Sequence, residues 1–434
     1  MDSTTRSSSH RQFRSLLAVS AASLLVLAVA CSSEKPAQPP RAGDALRVLF
    51  LGNSYTYYNN LPRLVEELAA AAGRKIETRM IAPGGASLAD HAANARTAEA
   101  IRSGGWDFVV LQEQSALGAV YLVNGEARVA NPEAFFAAAR KLDAEIRKAG
   151  AKTVFYHTWP QREAPDSDRA MLDYANMHIA RELGAAVAPV GLAWQQASAE
   201  VGGASLYAED GSHPSRTGSY LAAAVIAATL TGASPVGGPA RISGAPVNPD
   251  TGAVGTGASA VLVDLPARFA GELQRIAWQN HEKLAAADGA IDLPAPAALA
   301  LPQMPAGGRR PTREQVSGRW LGSLALYPQP ATLEIWLAQR EAKPGESVDA
   351  ARAEWKTAMQ VRFASGRLDD ITAELDQVRI TDYGFDFVNP AGPNGGIVKF
   401  RAAFLGDRLA GIAEIIVEGE PIYGIGTFEL KRVR

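Results

Sequence analysis

The stretch Val48–Tyr58, with the sequence VLFLGNSYTYY, decides how the first half of the chain folds. Its four apolar residues Val48–Leu51 predict a short buried strand, which a Gly-Asn pair ends. A helical pattern follows over Leu61–Ala72, so Ser54 is expected at a strand-to-helix turn. At such a turn backbone N–H groups are free, and an exposed hydroxyl can act as a nucleophile. A simple helix cap is the alternative, and the choice depends on whether the chain supplies a base and an orienting acid.

Length, charge and cysteine content narrow the class of protein. The chain has 434 residues, a formal net charge of −2 and 47% hydrophobic residues. This length favours two or three globular domains. The small net charge argues against nucleic-acid binding, which usually needs a strong basic excess. Cys31 is the one cysteine, so an intrachain disulfide and a cysteine-rich metal site are excluded.

The first 31 residues resemble a bacterial lipoprotein signal peptide. Three arginines precede Leu16–Ala30, an apolar stretch of about 15 residues that is too short for a comfortable membrane span. It ends in LAVAC, which resembles a lipobox; an ordinary signal peptide followed by a cysteine is the alternative. The resemblance implies cleavage before Cys31, lipidation there and export, and the serine after it implies the outer membrane, on its periplasmic face or at the cell surface. The Pro-rich residues 32–45 then predict a tether.

Short apolar strands alternate with longer helical patterns between Leu46 and about Thr231. The predicted strands are Val48–Leu51, Ile76–Ile81, Phe108–Leu111, Thr153–Tyr156 and Ala186–Val190. The predicted helices are Leu61–Ala72, Leu88–Ser103, Pro132–Lys148, Arg169–Leu183, Leu192–Val201 and Arg216–Leu230. This alternation predicts an α/β architecture, a parallel sheet covered by helices on both faces. Such sheets bind ligands outside the carboxyl ends of their strands, which is where Ser54 falls.

The chain between this region and residue 313 is less regular. Thr231–Val261 is rich in Gly, Pro, Ser and Ala, and we predict an excursion that is partly loop. A helical period returns over Leu265–Ala286, and this helix is expected to pack back onto the α/β domain, which we bound at residues 46–287. Residues 288–312, rich in Pro and Gly, predict a linker.

Residues 313–434 follow a different pattern. Nine short strands are predicted, at Trp320–Leu326, Ala331–Leu337, Thr357–Phe363, Ile371–Leu375, Gln377–Thr381, Gly384–Val388, Gly396–Phe404, Arg408–Glu418 and Tyr423–Lys431. Regular short strands without long helices indicate an antiparallel barrel or sandwich. The pattern bears a weak resemblance to small lipocalin-like barrels, with GRW at residues 318–320 opening the first strand. This part contains no histidine and no paired carboxylates, so we expect a structural or recognition role for it.

A candidate base and acid lie just before the last predicted helix of the α/β domain, in the sequence DGSHP at residues 210–214. Asp210 and His213 can meet within one tight turn, where the carboxylate accepts a hydrogen bond from imidazole Nδ1. This contact orients the ring and stabilises the imidazolium that forms when Nε2 takes a proton. The turn follows the fifth strand, so it can lie at the same edge of the sheet as Ser54. A capping Asp beside a solvent-exposed His is the alternative.

The two motifs resemble the first and last blocks of the SGNH hydrolase family, also called GDSL esterases and lipases. The family's strand-Gly-Asp-Ser block, with Ser as nucleophile, corresponds to GNS at residues 52–54. Its Asp-x-x-His-Pro block corresponds to the second motif, so the resemblance implies a triad of Ser54, His213 and Asp210. The resemblance covers roughly Leu46–Leu230 and implies the family's flavodoxin-like three-layer α/β/α fold.

The family's middle blocks supply hydrogen-bond donors to an oxyanion. Its second block contains a Gly whose N–H donates, and Gly85 in the stretch PGGAS matches it best. Its third block, Gly-x-Asn-Asp, donates from the Asn side chain, whereas the third strand here is followed by QEQS at residues 112–115. Gln114 falls on the Asn position and is one methylene longer, with Gln112 as its rival. The resemblance therefore implies an oxyanion hole of the Ser54 and Gly85 N–H groups and the Gln114 amide.

The chain departs from the family at two positions. Asn53 replaces the usual Asp, which is not a member of the triad, so we expect a small effect. The missing Gly-x-Asn-Asp block concerns a donor whose removal costs roughly 10²–10³-fold in rate. A misplaced Gln114 would therefore mean a slow enzyme and not an inactive one.

Four further residues are candidates for substrate contact: Asn53, Gln112, His157 and Trp159. His157 ends the fourth predicted strand, so we expect it to point toward the cleft edge together with Trp159. The three tyrosines that follow the nucleophile could line an acyl or sugar pocket or could simply pack. Glu113 is expected to be a solvated charge at the rim.

The resemblance implies acyl transfer from an ester, a reaction that needs no metal and no organic cofactor. The sequence thus predicts an exported, lipid-anchored carboxylic ester hydrolase. Its expected partners are an ester or acylated glycan and, through Cys31, a membrane. A short acyl group such as O-acetyl on carbohydrate is the favoured substrate, because no strongly hydrophobic insertion is evident near the site. A lipase or lysophospholipase-type esterase, and a catalytically weak glycan- or envelope-binding protein that keeps the fold, are the alternatives.

Overall fold

The computed structural model describes residues 45–434 apart from 119, 130, 203–204, 298, 342, 346, 348–353, 365–368, 393–394, 418–423 and 434. The described residues belong to one compact unit, Pro40–Arg434. The predicted signal peptide, Cys31 and all but the last residue of the predicted tether lie outside the described residues. Within the described part, no helix has both the length and the apolar character needed to cross a membrane.

Residues 45–285 contain a parallel sheet and the helices that cover it. The strands are β1 (Leu46–Leu51), β2 (Ile76–Ile81), β3 (Phe108–Leu111), β4 (Val120–Val123), β5 (Glu126–Val129), β6 (Lys152–Tyr156), β7 (Ala186–Ala188), β8 (Arg241–Gly244) and β9 (Ala260–Asp264). The helices are α1 (Ser54–Tyr57), α2 (Leu61–Ala71), α3 (Leu88–Ala93), α4 (Ala95–Arg102), α5 (Glu133–Lys148), α6 (Asp166–Leu183), α7 (Val190–Ala197), α8 (Arg216–Thr231) and α9 (Ala267–Ala285). A 3₁₀ turn (Tyr58–Asn60) and a π turn (Ser198–Gly202) complete this part.

The main sheet is parallel, with the strand order β2-β1-β3-β6-β7. Strand β1 lies between β2 and β3, because the chain first adds β2 on one side of β1 and then returns to add β3 on the other side. This reversal opens a crevice beyond the carboxyl ends of β1 and β3, which is the usual ligand position in such sheets. The predicted three-layer α/β fold is confirmed.

Alternate residues of β1 supply two separate cores, because successive side chains of a strand point to opposite faces. Val48 and Phe50 pack into one core with residues of α2, α8 and α9. Leu49 and Leu51 pack into the other core with residues of α4, α5 and α6. The predicted packing of the Leu265–Ala286 helix onto the α/β part is therefore confirmed.

Within residues 45–285, three elements differ from the prediction. The predicted helix Leu88–Ser103 is two helices, because Asn94 is extended and its side chain caps α4. The predicted excursion Thr231–Val261 contains β8 and the start of β9, which pair with each other. The unpredicted hairpin β4–β5 follows the segment that leaves β3.

The C-terminal part begins with a short helix, α10 (Arg313–Val316), and all nine predicted strands are present. They are β10 (Gly318–Ala325), β11 (Ala331–Gln339), β12 (Trp355–Phe363), β13 (Ile371–Ala373), β14 (Asp376–Ile380), β15 (Gly384–Asn389), β16 (Ile397–Phe404), β17 (Arg408–Ile416) and β18 (Gly424–Val433). They form one antiparallel sheet in the order β13-β12-β11-β10-β18-β17-β16-β15-β14. Two residues separate the edge strands β13 and β14 along the chain, so the sheet must curl until its edges approach each other. The predicted barrel-like alternative is thus the closer one, and we call this element the curled sheet.

The hairpin β4–β5 joins the curled sheet. Leu122 and Val123 pair in parallel with Gly424 and Ile425 of β18, beyond the point where β10 ends. The side chain of Asn124, in the hairpin turn, accepts hydrogen bonds from the backbone N–H and hydroxyl of Thr427. The segment that leaves β3 therefore leads into a hairpin that is hydrogen-bonded to β18 of the C-terminal part.

Candidate active site

The structure brings Ser54, His213 and Asp210 together at the carboxyl edge of the parallel sheet. Ser54 is the first residue of α1, and its Oγ lies 2.9 Å from Nε2 of His213. Nδ1 of His213 lies 2.6 Å from Oδ2 of Asp210. A hydroxyl, an imidazole and a carboxylate in this order can move a proton from the hydroxyl to the ring.

The Asp210 carboxylate is held in its ionised form by the turn that carries it. Its other oxygen accepts hydrogen bonds from the N–H groups of Ser212 and His213, each at 2.9 Å. Partial burial opposes ionisation, but the Ser212 N–H, the His213 ring and the His213 N–H outweigh it and lower the pKa of Asp210. The charged form that stabilises an imidazolium is therefore the favoured form of Asp210.

Aromatic side chains hold the imidazole and its turn. The ring of Tyr58 stacks on His213 with centroids 4.2 Å apart and planes 10° apart. The hydroxyl of Tyr55 lies 2.7 Å from Oγ of Ser212. Trp159 stacks on Tyr55 and donates from its indole N–H to the carbonyl of Ser212 at 3.1 Å. These contacts restrict the imidazole to the orientation that meets Ser54.

The expectation that His157 and Trp159 face the cleft is wrong. Both side chains are fully buried. His157 points beneath the sheet edge, where Nε2 lies 2.9 Å from Oδ1 of Asp173. Trp159 lies between Tyr55 and Trp194, and so it supports the site from below. The side chain of a residue at the end of a buried strand can point into the core or toward the cleft, because successive side chains alternate between the two faces of the sheet. The sequence of the strand alone does not distinguish the two directions.

The nucleophile turn is tightly packed against the end of β3. A Cβ on Gly52 would lie 2.3 Å from Oγ1 of Thr56 and 2.5 Å from Oε1 of Gln112, so only glycine fits there. Oε1 of Gln112 accepts hydrogen bonds from the Asn53 N–H at 2.9 Å and the Thr56 hydroxyl at 2.8 Å. The short apolar strand thus ends in a turn whose geometry a neighbouring strand fixes, and this places Ser54 at the start of α1.

The side chains of Gln112 and Asn53 form hydrogen bonds within the protein that hold the nucleophile turn in place. Gln112 is fully buried, and its amide nitrogen donates to the Glu113 carbonyl at 2.6 Å. Asn53 borders the cleft, but its amide nitrogen donates to the Ala86 carbonyl and its oxygen caps the Tyr55 N–H. The expectation that Gln112 contacts substrate is therefore wrong, and the Asn53 side chain is held by the scaffold through its oxygen and one amide N–H.

Ser54, Gly85 and Gln114 border the same cleft as His213, which has a volume of about 410 Å³. Oε1 of Gln114 accepts from the Ala116 N–H at 2.7 Å, which orients the amide. Among the described residues, nothing accepts a hydrogen bond from the N–H of Ser54, the N–H of Gly85 or the amide nitrogen of Gln114. All three donors implied by the resemblance are thus available at one cleft.

Several cleft residues escaped the sequence analysis. Pro249 and Asp250 reach the cleft from the loop between β8 and β9, where the Pro249 carbonyl accepts a hydrogen bond from the Tyr57 hydroxyl at 2.9 Å. Gln161 and Ser115 also border it. The sequence NPDTG at residues 248–252 signals a turn, but no local signal places that turn beside Ser54.

Glu113 also differs from the sequence analysis, because it is not a solvated rim charge. It is 4% exposed, and burial raises its pKa to about 8 against the opposing effect of the Gln114 and Leu88 N–H groups.

Within the described ranges, no group of three or more His, Cys, Asp and Glu residues is arranged to hold a metal ion.

Solved structures are similar to part of the chain. A candidate SGNH hydrolase from Slackia heliotrinireducens is 34% identical over a match that covers 43% of this chain and 100% of that protein, with a TM-score of 0.36. Because this identity extends over the full length of that protein, the chain belongs to the SGNH hydrolase superfamily. The match leaves more than half of this chain without a counterpart.

More distant structures are similar to the chain as well. A DUF4886 family protein from Bacteroides uniformis is 19% identical, covering 58% of this chain and 98% of that one, with a TM-score of 0.40. A variant of an acetyl xylan esterase from Geobacillus stearothermophilus is 17% identical, covering 43% and 94%, with a TM-score of 0.33. Neither similarity carries weight for the substrate. No family model and no curated protein matches the chain.

Proposed function

We propose that the protein is an exported serine esterase that hydrolyses short acyl esters, such as O-acetyl groups on carbohydrate. The observation that carries the proposal is the chain of contacts from Asp210 through His213 to Ser54, at 2.6 and 2.9 Å. Both distances fall within normal hydrogen-bond range. Three unpaired donors bordering the same cleft support a reaction in which negative charge develops on a carbonyl oxygen.

The proposed reaction has two halves. His213 Nε2 takes the proton from Ser54 Oγ as the oxygen attacks the ester carbonyl carbon, and the new oxyanion accepts hydrogen bonds from the three donors. His213 then returns the proton to the leaving alcohol, which leaves an acyl group on Ser54. In the second half His213 deprotonates a water that attacks this acyl group, and the acid departs as Ser54 regains its proton.

The lining of the cleft supports a small, polar substrate. Its bordering side chains are polar or aromatic, with Tyr57 and Tyr58 beside Gln161 and Asp250, and Pro249 is the one aliphatic side chain among them. A long acyl chain would need an apolar channel, because transfer of each methylene from water is worth about 0.8 kcal/mol. A sugar ring matches an aromatic face together with hydrogen-bonding groups. The described residues therefore favour an acetylated carbohydrate over a lipid.

A pair of assays tests the proposal. Wild-type protein and Ser54→Ala are compared on p-nitrophenyl acetate, octanoate and palmitate, and on acetylated and deacetylated xylan. We expect a preference for acetate and loss of activity in Ser54→Ala. Activity that survives Ser54→Ala would remove Ser54 as the nucleophile, and a preference for palmitate would favour a lipase. Binding to glycan without hydrolysis of any ester would favour a binding protein that keeps the fold.

The proposed location depends on the sequence alone. Cleavage and lipidation at Cys31 would anchor the enzyme to the outer membrane through the tether of residues 32–45. Fractionation of cells that express the wild type or Cys31→Ala tests this, since only the wild type should remain with the membrane. Equal release of both would contradict lipid anchoring.

A further inference from the structure

Glu113 is a buried carboxyl group that lies behind the cleft. It follows β3, is 4% exposed and does not border the cleft itself. Its Oε1 accepts a hydrogen bond from the Gln114 N–H at 2.6 Å. The two carboxyl oxygens also lie 3.2 and 3.1 Å from the Leu88 nitrogen and accept from its N–H. One side chain therefore joins two segments that are 25 residues apart in sequence.

These two segments carry two of the three donors in the cleft. Leu88 is the first residue of α3 and follows Gly85 by three positions, and Gln114 carries the side-chain amide. The intervening Ser87 is fixed by a capping box with Asp90, so the path from Gly85 to the Glu113 carboxyl is short and ordered. Glu113 therefore links the segment that carries Gly85 to the residue that carries the side-chain amide.

We propose that Glu113 is a positioning residue that holds the Gly85 and Gln114 donors at the spacing an oxyanion requires. The inference rests on the proposed esterase function. Displacement of a catalytic group by about 1 Å can cost on the order of 100-fold in rate. A carboxyl group suits this role because its two oxygens can accept from both N–H groups at once.

The protonation state of Glu113 adds a second readout. Burial raises its pKa to about 8, the Gln114 and Leu88 N–H groups oppose this, and the charge of Asp90 on α3 adds to it. His91 on α3 is the other titratable group nearby; burial lowers its pKa, so it is neutral near pH 8. The flanking Gln112 and Gln114 carry no charge. Glu113 is therefore mostly neutral at pH 7, and as the pH rises through about 8 it gains a buried negative charge that opposes the developing oxyanion.

The experiment compares Glu113→Gln and Glu113→Ala with the wild type on p-nitrophenyl acetate from pH 6 to 10. Glutamine keeps one oxygen that can accept from both N–H groups and mimics the neutral carboxyl. We expect Glu113→Gln to keep kcat within about threefold at pH 7 and to lose the decline above pH 8. Glu113→Ala should lose roughly 10- to 100-fold in kcat with little change in KM. Melting temperatures show whether each variant is folded. Titration of Ser54 with a fluorophosphonate gives the concentration of active sites, by which kcat is calculated.

A double-mutant cycle separates positioning from simple support of the fold. Because part of the effect of Glu113 passes through Gln114, the variant Glu113→Ala/Gln114→Ala should lose less than the product of the single losses. Additive losses, an unchanged kcat in Glu113→Ala, or the same alkaline decline in wild type and Glu113→Gln would each overturn the inference. If Ser54→Ala shows that the ester hydrolysis does not depend on Ser54, the proposed function fails and this inference fails with it. If hydrolysis depends on Ser54 but not on Glu113, only this inference fails.

Discussion

The two sheets of this molecule differ in where their strands end. All five strands of the parallel sheet end at one edge, so the chain emerges there repeatedly and places Ser54 after β1 and Gln114 after β3. Neighbouring strands of the curled sheet end at opposite edges, so their turns are distributed between its two ends. A parallel topology therefore concentrates polar residues from distant parts of the chain, whereas an antiparallel meander disperses them.

The buried polar residues show the same contrast. At the edge of the parallel sheet, the buried polar or charged side chains include Asn53, Ser54, Gln112, Glu113 and His157. Among the described residues of the curled sheet, Asn389 is the one polar side chain that is buried. The interior of the curled sheet is instead filled by apolar side chains, such as those of Trp320, Phe387 and Phe400. Substitutions of the cleft-lining residues at the edge of the parallel sheet should change chemistry, and substitutions in the interior of the curled sheet should change stability.

The largest expected effect is that of Asp210→Asn. An asparagine keeps the size of the side chain but cannot stabilise the imidazolium, so we expect kcat to fall by about 10⁴-fold. Asp382→Asn is the matched control, because Asp382 is an exposed residue of the C-terminal part that pairs with Arg310. Its kcat should equal that of the wild type. Retention of a tenth of the activity by Asp210→Asn would contradict the assigned triad.

The next effect separates the two glutamines. Gln114→Ala should lower kcat by roughly 10²–10³-fold with an unchanged melting temperature, because it removes a donor to the oxyanion. Gln112→Ala should instead lower the free energy of unfolding by about 1–3 kcal/mol, because the Asn53 N–H loses its buried acceptor. Steady-state kinetics and chemical denaturation of both variants check this. The reverse pattern would make Gln112 the donor.

The smallest expected effect concerns the connection between the two regions. Asn124→Gly removes the acceptor of the Thr427 N–H and hydroxyl while allowing the positive φ of 51° at this position. We expect a destabilisation of about 1 kcal/mol. A small decrease in kcat should accompany it, because the hairpin continues the segment that carries Gln114. Asn124→Asp keeps the acceptor oxygen and should behave as the wild type. Equal destabilisation by the two variants would place the effect in the turn backbone and not in the Thr427 contact.

Much of the fold could be predicted because its signals are local. The strands Ile76–Ile81 and Phe108–Leu111 have the predicted bounds. Phe108–Leu111 is a short apolar run, and Ile76–Ile81 begins and ends with isoleucine and is followed by the breakers Pro83-Gly84-Gly85. The strands of the curled sheet follow from alternating polar and apolar residues. The hairpin β4–β5 also had a local signal, because Asn124-Gly125 is a typical turn pair between two β-prone runs, and both residues have positive φ. Such a signal could have found this element.

The residues of the site that lie in short segments with their own turn signals could be predicted from the sequence. The three-residue spacing of Asp210 and His213 allows their contact within one turn, and the position of Ser54 after a buried strand predicts its turn. Strands β8 and β9 and the reach of Asp250 into the cleft depend on pairing and packing over long separations. No local pattern encodes such contacts.

The sequence by itself determined the order of the chemistry along the chain, from Ser54 to Asp210 and His213, because each segment carries its own turn signal. Only the tertiary structure decided which glutamine borders the cleft. Gln112 and Gln114 are two residues apart and would share a face if β3 continued, so spacing could not separate them. The chain leaves the strand after Leu111 and turns at Gln114, where the Leu117 N–H donates to its carbonyl. That turn buries Gln112 beneath the nucleophile and exposes Gln114 to the cleft.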